Sequence, residues 1–159
     1  MAIITKKYAK TEQQIGGVPY GNKTALKFKL ETNASGVLVN GDQTTAFGIA
    51  DVARLGILPA GADLIDALAI VSDAFTGLVT FDIGFAYVDG VDSTAVPQDD
   101  NYFFENLTNA AGRTRANNIT VAPVKLPKDA WLIATVAGAA NASAGVLDIV
   151  IETILNGAP

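Results

Sequence analysis

The chain has 159 residues, half of them hydrophobic and only 17% charged, with a net charge of −5. That length fits one domain able to bury a core without disulfide or metal staples. It contains no Cys and no His, which removes thiolate nucleophiles, histidine general bases and Cys/His zinc sets from the chemistry open to it.

Charge is unevenly distributed. Residues 1–30 hold six lysines and one glutamate, a net of +5, and the other residues hold five basic and fifteen acidic groups, a net of −10. Residues 1–24 show no sustained periodicity and are punctuated by Gly16-Gly17, Val18-Pro19 and Gly21-Asn22, so they read as an extended basic arm ahead of a folded domain over 25–159. The N-terminus has no apolar core of signal-peptide length, and no run approaches the roughly 20 apolar residues needed to cross a bilayer. Synthesis in the cytoplasm and a soluble product are the expectation, with no membrane partner.

From Ala25 the pattern alternates: Leu26, Phe28 and Leu30 oppose Lys27, Lys29 and Glu31, as in a half-buried strand. A short apolar piece at Val37–Val39 follows, then a strand expected over Thr44–Val52. Pro59-Ala60-Gly61 marks a turn. Next comes a strand with Leu64, Leu68 and Ile70 on one face and Ile65, Ala67, Ala69 and Val71 on the other. Its partner places Val79, Phe81, Ile83, Phe85 and Tyr87 toward the core. A polar excursion follows over Asp89–Gly112, in which Asp99 or Asp100 is expected to cap a short helix over 101–107 pinned by Tyr102, Phe103 and Phe104. A strand over Ile119–Val124 then leads to strands over Trp131–Ala137 and Val146–Leu155, the last with Leu147, Ile149, Ile151 and Leu155 inward and Asp148 and Glu152 outward.

Residues 58–90 and 126–157 echo one another. Each begins Leu-Pro, continues Ala-x-Leu-Ile, passes a loop of small residues and ends in a strand built around Asp-Ile, Asp82-Ile83 in one and Asp148-Ile149 in the other. Two copies are too few for a solenoid. The pattern predicts an all-β protein, an antiparallel sandwich of jelly-roll type built from two related hairpin halves, with an extended N-terminal arm.

No phosphate-binding loop, dinucleotide fingerprint, EF-hand spacing or nucleophile elbow is present. Without His, an enzyme would depend on paired carboxylates, and Asp82 with Asp148 is the natural pair to weigh. Their placement on outer strand faces argues for solvated or cross-strand roles instead, so no catalytic residue and no cofactor is assigned. Asp89, Asp92, Asp99 and Asp100 fit either a solvated acidic loop or a Ca²⁺ site; the former is preferred. Five Asn-x-Ser/Thr triplets, at Asn22, Asn33, Asn106, Asn118 and Asn141, read as loop and edge composition rather than glycosylation sites. The acidic body disfavours nucleic acid as a partner. Trp131 aligns with Asp63 of the first copy, which reads either as an outward position at an interface or as burial in the protein's own core.

The run Leu55-Gly56-Ile57-Leu58-Pro59-Ala60-Gly61-Ala62, the strand Thr80-Phe81-Asp82-Ile83-Gly84-Phe85 and the segment Asp99-Asp100-Asn101-Tyr102-Phe103 resemble small virion proteins of tailed bacteriophages. The resemblance covers about residues 51–107 and implies a jelly-roll capsid cement, or head-decoration, protein. Such a protein, often trimeric, binds the major capsid protein on the outer surface of the phage head and bridges capsomers. On that reading Lys6, Lys7 and Lys10, with Tyr8, Tyr20 and Trp131, are the partner-contacting residues. A carbohydrate- or receptor-binding jelly roll of a virion appendage is the alternative.

Overall fold

The computed structural model describes residues 1–5 and 23–155. They form strands β1 (Ile3–Thr5), β2 (Lys23–Thr32), β3 (Val52–Leu58), β4 (Ala62–Asp73), β5 (Thr80–Tyr87), β6 (Asp99–Thr108), β7 (Gly112–Arg115), β8 (Val124–Lys125), β9 (Ala130–Ala137) and β10 (Gly145–Leu155). No helix occurs among the described residues. One sheet has the order β1-β3-β9-β5-β6 and the other β2-β10-β4-β7, with β8 also paired to β4. All pairings are antiparallel except β1 on β3. The protein is an all-β sandwich, and its strand order is compatible with jelly-roll wrapping, in which successive strands pass from one sheet to the other.

The core lies between the sheets. Leu26, Phe28 and Leu30 of β2 enter it from one side, with Leu147, Ile149 and Ile151 of β10; Phe81, Ile83, Phe85 and Tyr87 of β5 enter from the other. These are the faces that the alternation of each strand predicts. Aromatic edges meet faces here, as ring quadrupoles favour: Phe75 lies 4.8 Å from Phe81, and Phe85 lies 5.4 Å from Tyr102.

Six expectations are corrected. The repeat is not a hairpin. β4 and β5 lie in opposite sheets, as do β9 and β10, and it is the two copies that pair: β4 with β10 and β5 with β9. Each copy is an arch, and two interlocked arches make the centre of both sheets. The small residues joining the strands serve to cross the sandwich edge, which a tight two-residue hairpin turn could not do.

The faces of β4 also change partway along. A register shift between Glu152 and Thr153 of β10 leaves Ile65 as an extra residue on β4, a bulge that rephases the alternation. Leu64 is therefore buried together with Ala67, Ala69 and Val71, while Leu68 and Ile70 lie half-buried on the outer face.

Residues 101–107 form part of strand β6 rather than a helix. Two register shifts against β5 absorb the surplus residues, so Tyr102, Phe103 and Phe104 are all buried in succession. The expected strand over 44–52 is a turn region. Gly48 N donates to Asp51 Oδ2 at 2.8 Å, and Ala50 adopts φ +65°, so apart from an isolated bridge between Ala46 and Val37 strand pairing starts at Val52. Similarly, Asn118 Oδ1 accepts the Thr120 N–H in a local turn, and only Val124–Lys125 pair with β4.

Residues 1–5, expected within the arm, belong to the sandwich. Ile4 is 1% exposed, β1 runs parallel to β3, and Ala2 N donates to Asp51 Oδ1 at 2.7 Å. Lys6, Lys7, Tyr8, Lys10 and Tyr20 lie outside the described residues.

Candidate functional site

The pairings place the connections at two ends. Residues 33–51, 74–79, 109–111 and 138–144 gather at one end, beside the ends of β2, β4, β6 and β9. Residues 59–61, 88–98 and 116–129 gather at the other.

The second end carries the acidic loop. There Lys128 organises the chain: its Nζ lies 2.7 Å from Asp89 Oδ2, donates to Val91 O at 2.5 Å and sits 4.6 Å from the Tyr87 ring centroid. The Lys128 ammonium holds the Asp89 carboxyl below its ordinary value. Asp92 Oδ1 accepts the Gln98 N–H at 2.8 Å, and Asp99 Oδ1 accepts the Asn101 N–H. These carboxylates thus close the loop on itself. Among the described residues no group of three acidic side chains converges to hold a metal ion. Tyr102 spans the base of the same end, its hydroxyl donating to Ala122 O at 2.8 Å; burial pushes its pKa up to about 12. A cleft of about 320 Å³ beside it is lined mainly by Phe85, Val96, Pro97, Tyr102, Val121 and Val124, with Asp99 as the carboxylate in its wall.

Asp82 and Asp148, the repeat-related carboxylates, are on the outer faces of opposite sheets. Asp82 Oδ1 accepts the Asn106 N–H at 2.7 Å and so fastens the bulged part of β6. Asp148 pairs with Lys27 across β10 and β2 at 3.3 Å. Separated by the full sandwich, the two cannot act on one substrate bond.

The outer face of the β2-containing sheet is a charge ladder. Lys23–Glu152 at 2.7 Å, Lys27–Asp148 and Arg115–Asp66 cross it, and such exposed pairs contribute little stability each.

Trp131 is on the outer face of the other sheet, yet it is only 4% exposed. Ile57 and Ala86 flank it on the neighbouring strands, Ile133 lies beside it, and the Arg54 guanidinium sits 5.6 Å from its ring centroid. Every Phe, Tyr and Trp among the described residues is buried. The exposed large hydrophobic residues are aliphatic side chains and Met1: Leu78 at 83% and Ile49 at 60% at the first end, Ile119 at 94% and Val91 at 63% at the second. Leu78 and Ile49 were not marked by the sequence, because a single apolar residue in a small-residue loop carries no periodicity.

No family model matches this sequence, and no curated protein matches it. Solved structures do. A chain of the capsid of Ralstonia phage GP4 superposes over 99% of this chain and 100% of its own length, with a TM-score of 0.66 at 18% identity. A chain of the cyanophage Pam1 capsid asymmetric unit superposes over 92% of this chain and 95% of its own, with a TM-score of 0.59 at 15% identity. The shared property is the fold, from end to end.

Proposed function

We propose that this protein is a structural component of a bacteriophage virion, a cement protein that decorates the outer surface of the head and stabilises contacts between capsomers. The observation that carries the reading is the end-to-end fold likeness to the GP4 and Pam1 capsid chains, which leaves no part of the GP4 chain uncovered. A matched chain of about this length is compatible with a small accessory subunit.

The mechanism is mechanical. A sandwich with a packed apolar core is rigid, and a rigid body that touches several neighbours at once multiplies weak contacts into a strong one. Lys6, Lys7 and Lys10 of the basic arm supply polar, salt-sensitive contacts to the major capsid protein, with Tyr8 and Tyr20 as anchors, and copies assemble as a symmetric oligomer, a trimer by preference. The glycan-binding alternative is disfavoured by the burial of every described aromatic ring, because sugar faces stack on exposed aromatics. Adding purified protein to heads that lack it tests the reading. Decorated heads should release their DNA at a higher temperature than bare ones, and unchanged release would count against a cement role.

A further inference from the structure

The two ends of the sandwich differ in charge. The connections 33–51, 74–79, 109–111 and 138–144 contain no Lys, Arg or Glu, and their two acids, Asp42 and Asp51, are engaged by backbone N–H groups: Asp42 Oδ1 accepts from Thr5, and Asp51 accepts from Ala2 and Gly48; the exposed Asp73 at the end of β4 borders them. At the opposite end lie Asp89, Asp92, Asp99, Asp100, Lys125, Lys128 and Asp129. Depletion of charge, rather than bulk hydrophobicity, distinguishes the centre of a protein–protein interface.

The uncharged end is also rigid. Asn141 is buried and ties two connections and the end of β2 together, accepting the Thr76 N–H through Oδ1 and donating through Nδ2 to Thr32 Oγ1 and Ser143 O. Asn109 Nδ2 donates to Thr76 O at 2.6 Å. Loops fixed in this way lose little entropy on docking. From this rigid end Leu78 projects with φ +69°, next to Gly77. A leucine in the left-handed region is disfavoured relative to glycine, and here its side chain, 83% exposed, gains nothing in return from the protein's own core. Ile49 projects nearby, followed by Ala50 at φ +65°. The two flank β9, since Ala50 N bonds Val136 O and Thr80 pairs with Ala137, which sets them about two strand spacings, roughly 10 Å, apart.

We propose that this uncharged end seats the protein on the capsid shell, with Leu78 and Ile49 as its apolar anchors. The partner it fits is a protein surface that is itself uncharged and apolar at the contact. Nucleic acid and anionic lipid both require cations, and these loops have none. The proposal rests on the decoration reading and specifies which end meets the shell.

The test is co-sedimentation of purified protein with heads of the same virus prepared without it, at low and at high salt. The variants are Leu78→Gly, Leu78→Asp and Ile49→Asp. Leu78→Gly relieves the φ strain, so its melting temperature should equal or exceed that of the parent. Its half-saturation on heads should nevertheless rise by roughly tenfold or more, and the loss should persist at high salt. If the parent binds and Leu78→Gly and Ile49→Asp bind equally well, this end is not the docking surface. If Leu78→Asp instead dissolves a self-association in solution and leaves head binding unchanged, the occupant is a second copy and the shell assignment fails. Absence of binding by the parent at any salt would overturn the decoration reading itself.

Discussion

Asn141 donates its Nδ2 to Thr32 Oγ1 at 3.1 Å across a sequence separation of 109 residues, with both side chains buried. The same amide accepts the Thr76 N–H, so one side chain fixes β2, the β4–β5 arch and the β9–β10 arch relative to one another. Replacing Asn141 by Ala leaves the Thr76 N–H without its acceptor, while Thr32 Oγ1 keeps its bond to Ser143 O. Because an unsatisfied polar group of this kind costs about 1–3 kcal/mol, N141A should lose roughly 2 kcal/mol in denaturant unfolding. A loss under about 0.5 kcal/mol, the scale of an ordinary surface change, would show that the loops hold without it.

Gly84 should tolerate nothing larger. A Cβ there would lie 2.0 Å from Asp99 O and 2.6 Å from Asp100 C, both backbone atoms of β6. Gly84→Ala should therefore cost about 3 kcal/mol and disturb the β5–β6 pairing. Its repeat counterpart, Val150, is half-buried on the outer face of β10, and Val150→Ala should be mild by the same measurement.

Tyr102 sets an alkaline limit on stability. Its pKa moves from 10.0 in the free residue up to about 12, mainly because burial disfavours the phenolate. The unfolded chain therefore ionises first, so the stabilising contribution is full below pH 10 and is lost as pH rises toward 12. Tyr87 is shifted in the same direction, also by burial. Thermal melting from pH 9 to 12 should show the parent losing stability more steeply than Tyr102→Phe; identical slopes would dissociate the effect from this residue.

The arm prediction separates folding from attachment. Residues 1–5 must stay, because Ile4 is buried and β1 pairs with β3. Replacing Lys6, Lys7 and Lys10 with Ala should leave the melting temperature unchanged while weakening head attachment at low salt, and the difference should shrink as salt screens the charges. Equal occupancy of heads by parent and triple variant at low salt would remove the arm from the contact.

Much of the sandwich was legible in the sequence because alternation reports burial directly. The faces of β2, β5 and β10 follow from Leu26-Phe28-Leu30, Phe81-Ile83-Phe85-Tyr87 and Leu147-Ile149-Ile151. Alternation does not report which sheet a strand joins, so the repeat reads equally well as a hairpin or as an arch. Bulges were the other blind spot. Three consecutive aromatic residues at 102–104 violate period two, and only the register shifts against β5 reveal how one strand buries them all. The alignment of Trp131 with Asp63 left an interface position and core burial both open, because its burial on the outer face depends on Arg54, Ile57 and Ala86, which come from two other strands. The uncharged end was invisible in the linear sequence because its four connections are scattered between residues 33 and 144 and meet only through the topology.

The central claim is tested most directly by reconstructing the native head by electron cryomicroscopy and quantifying this protein against the major shell subunit in the same particles. The account predicts density for the sandwich on the outer surface at capsomer boundaries, in a fixed ratio to the shell subunit, with the Leu78 end facing the shell. Particles that lack the protein, or that carry it in a ratio varying from one preparation to the next, would contradict it.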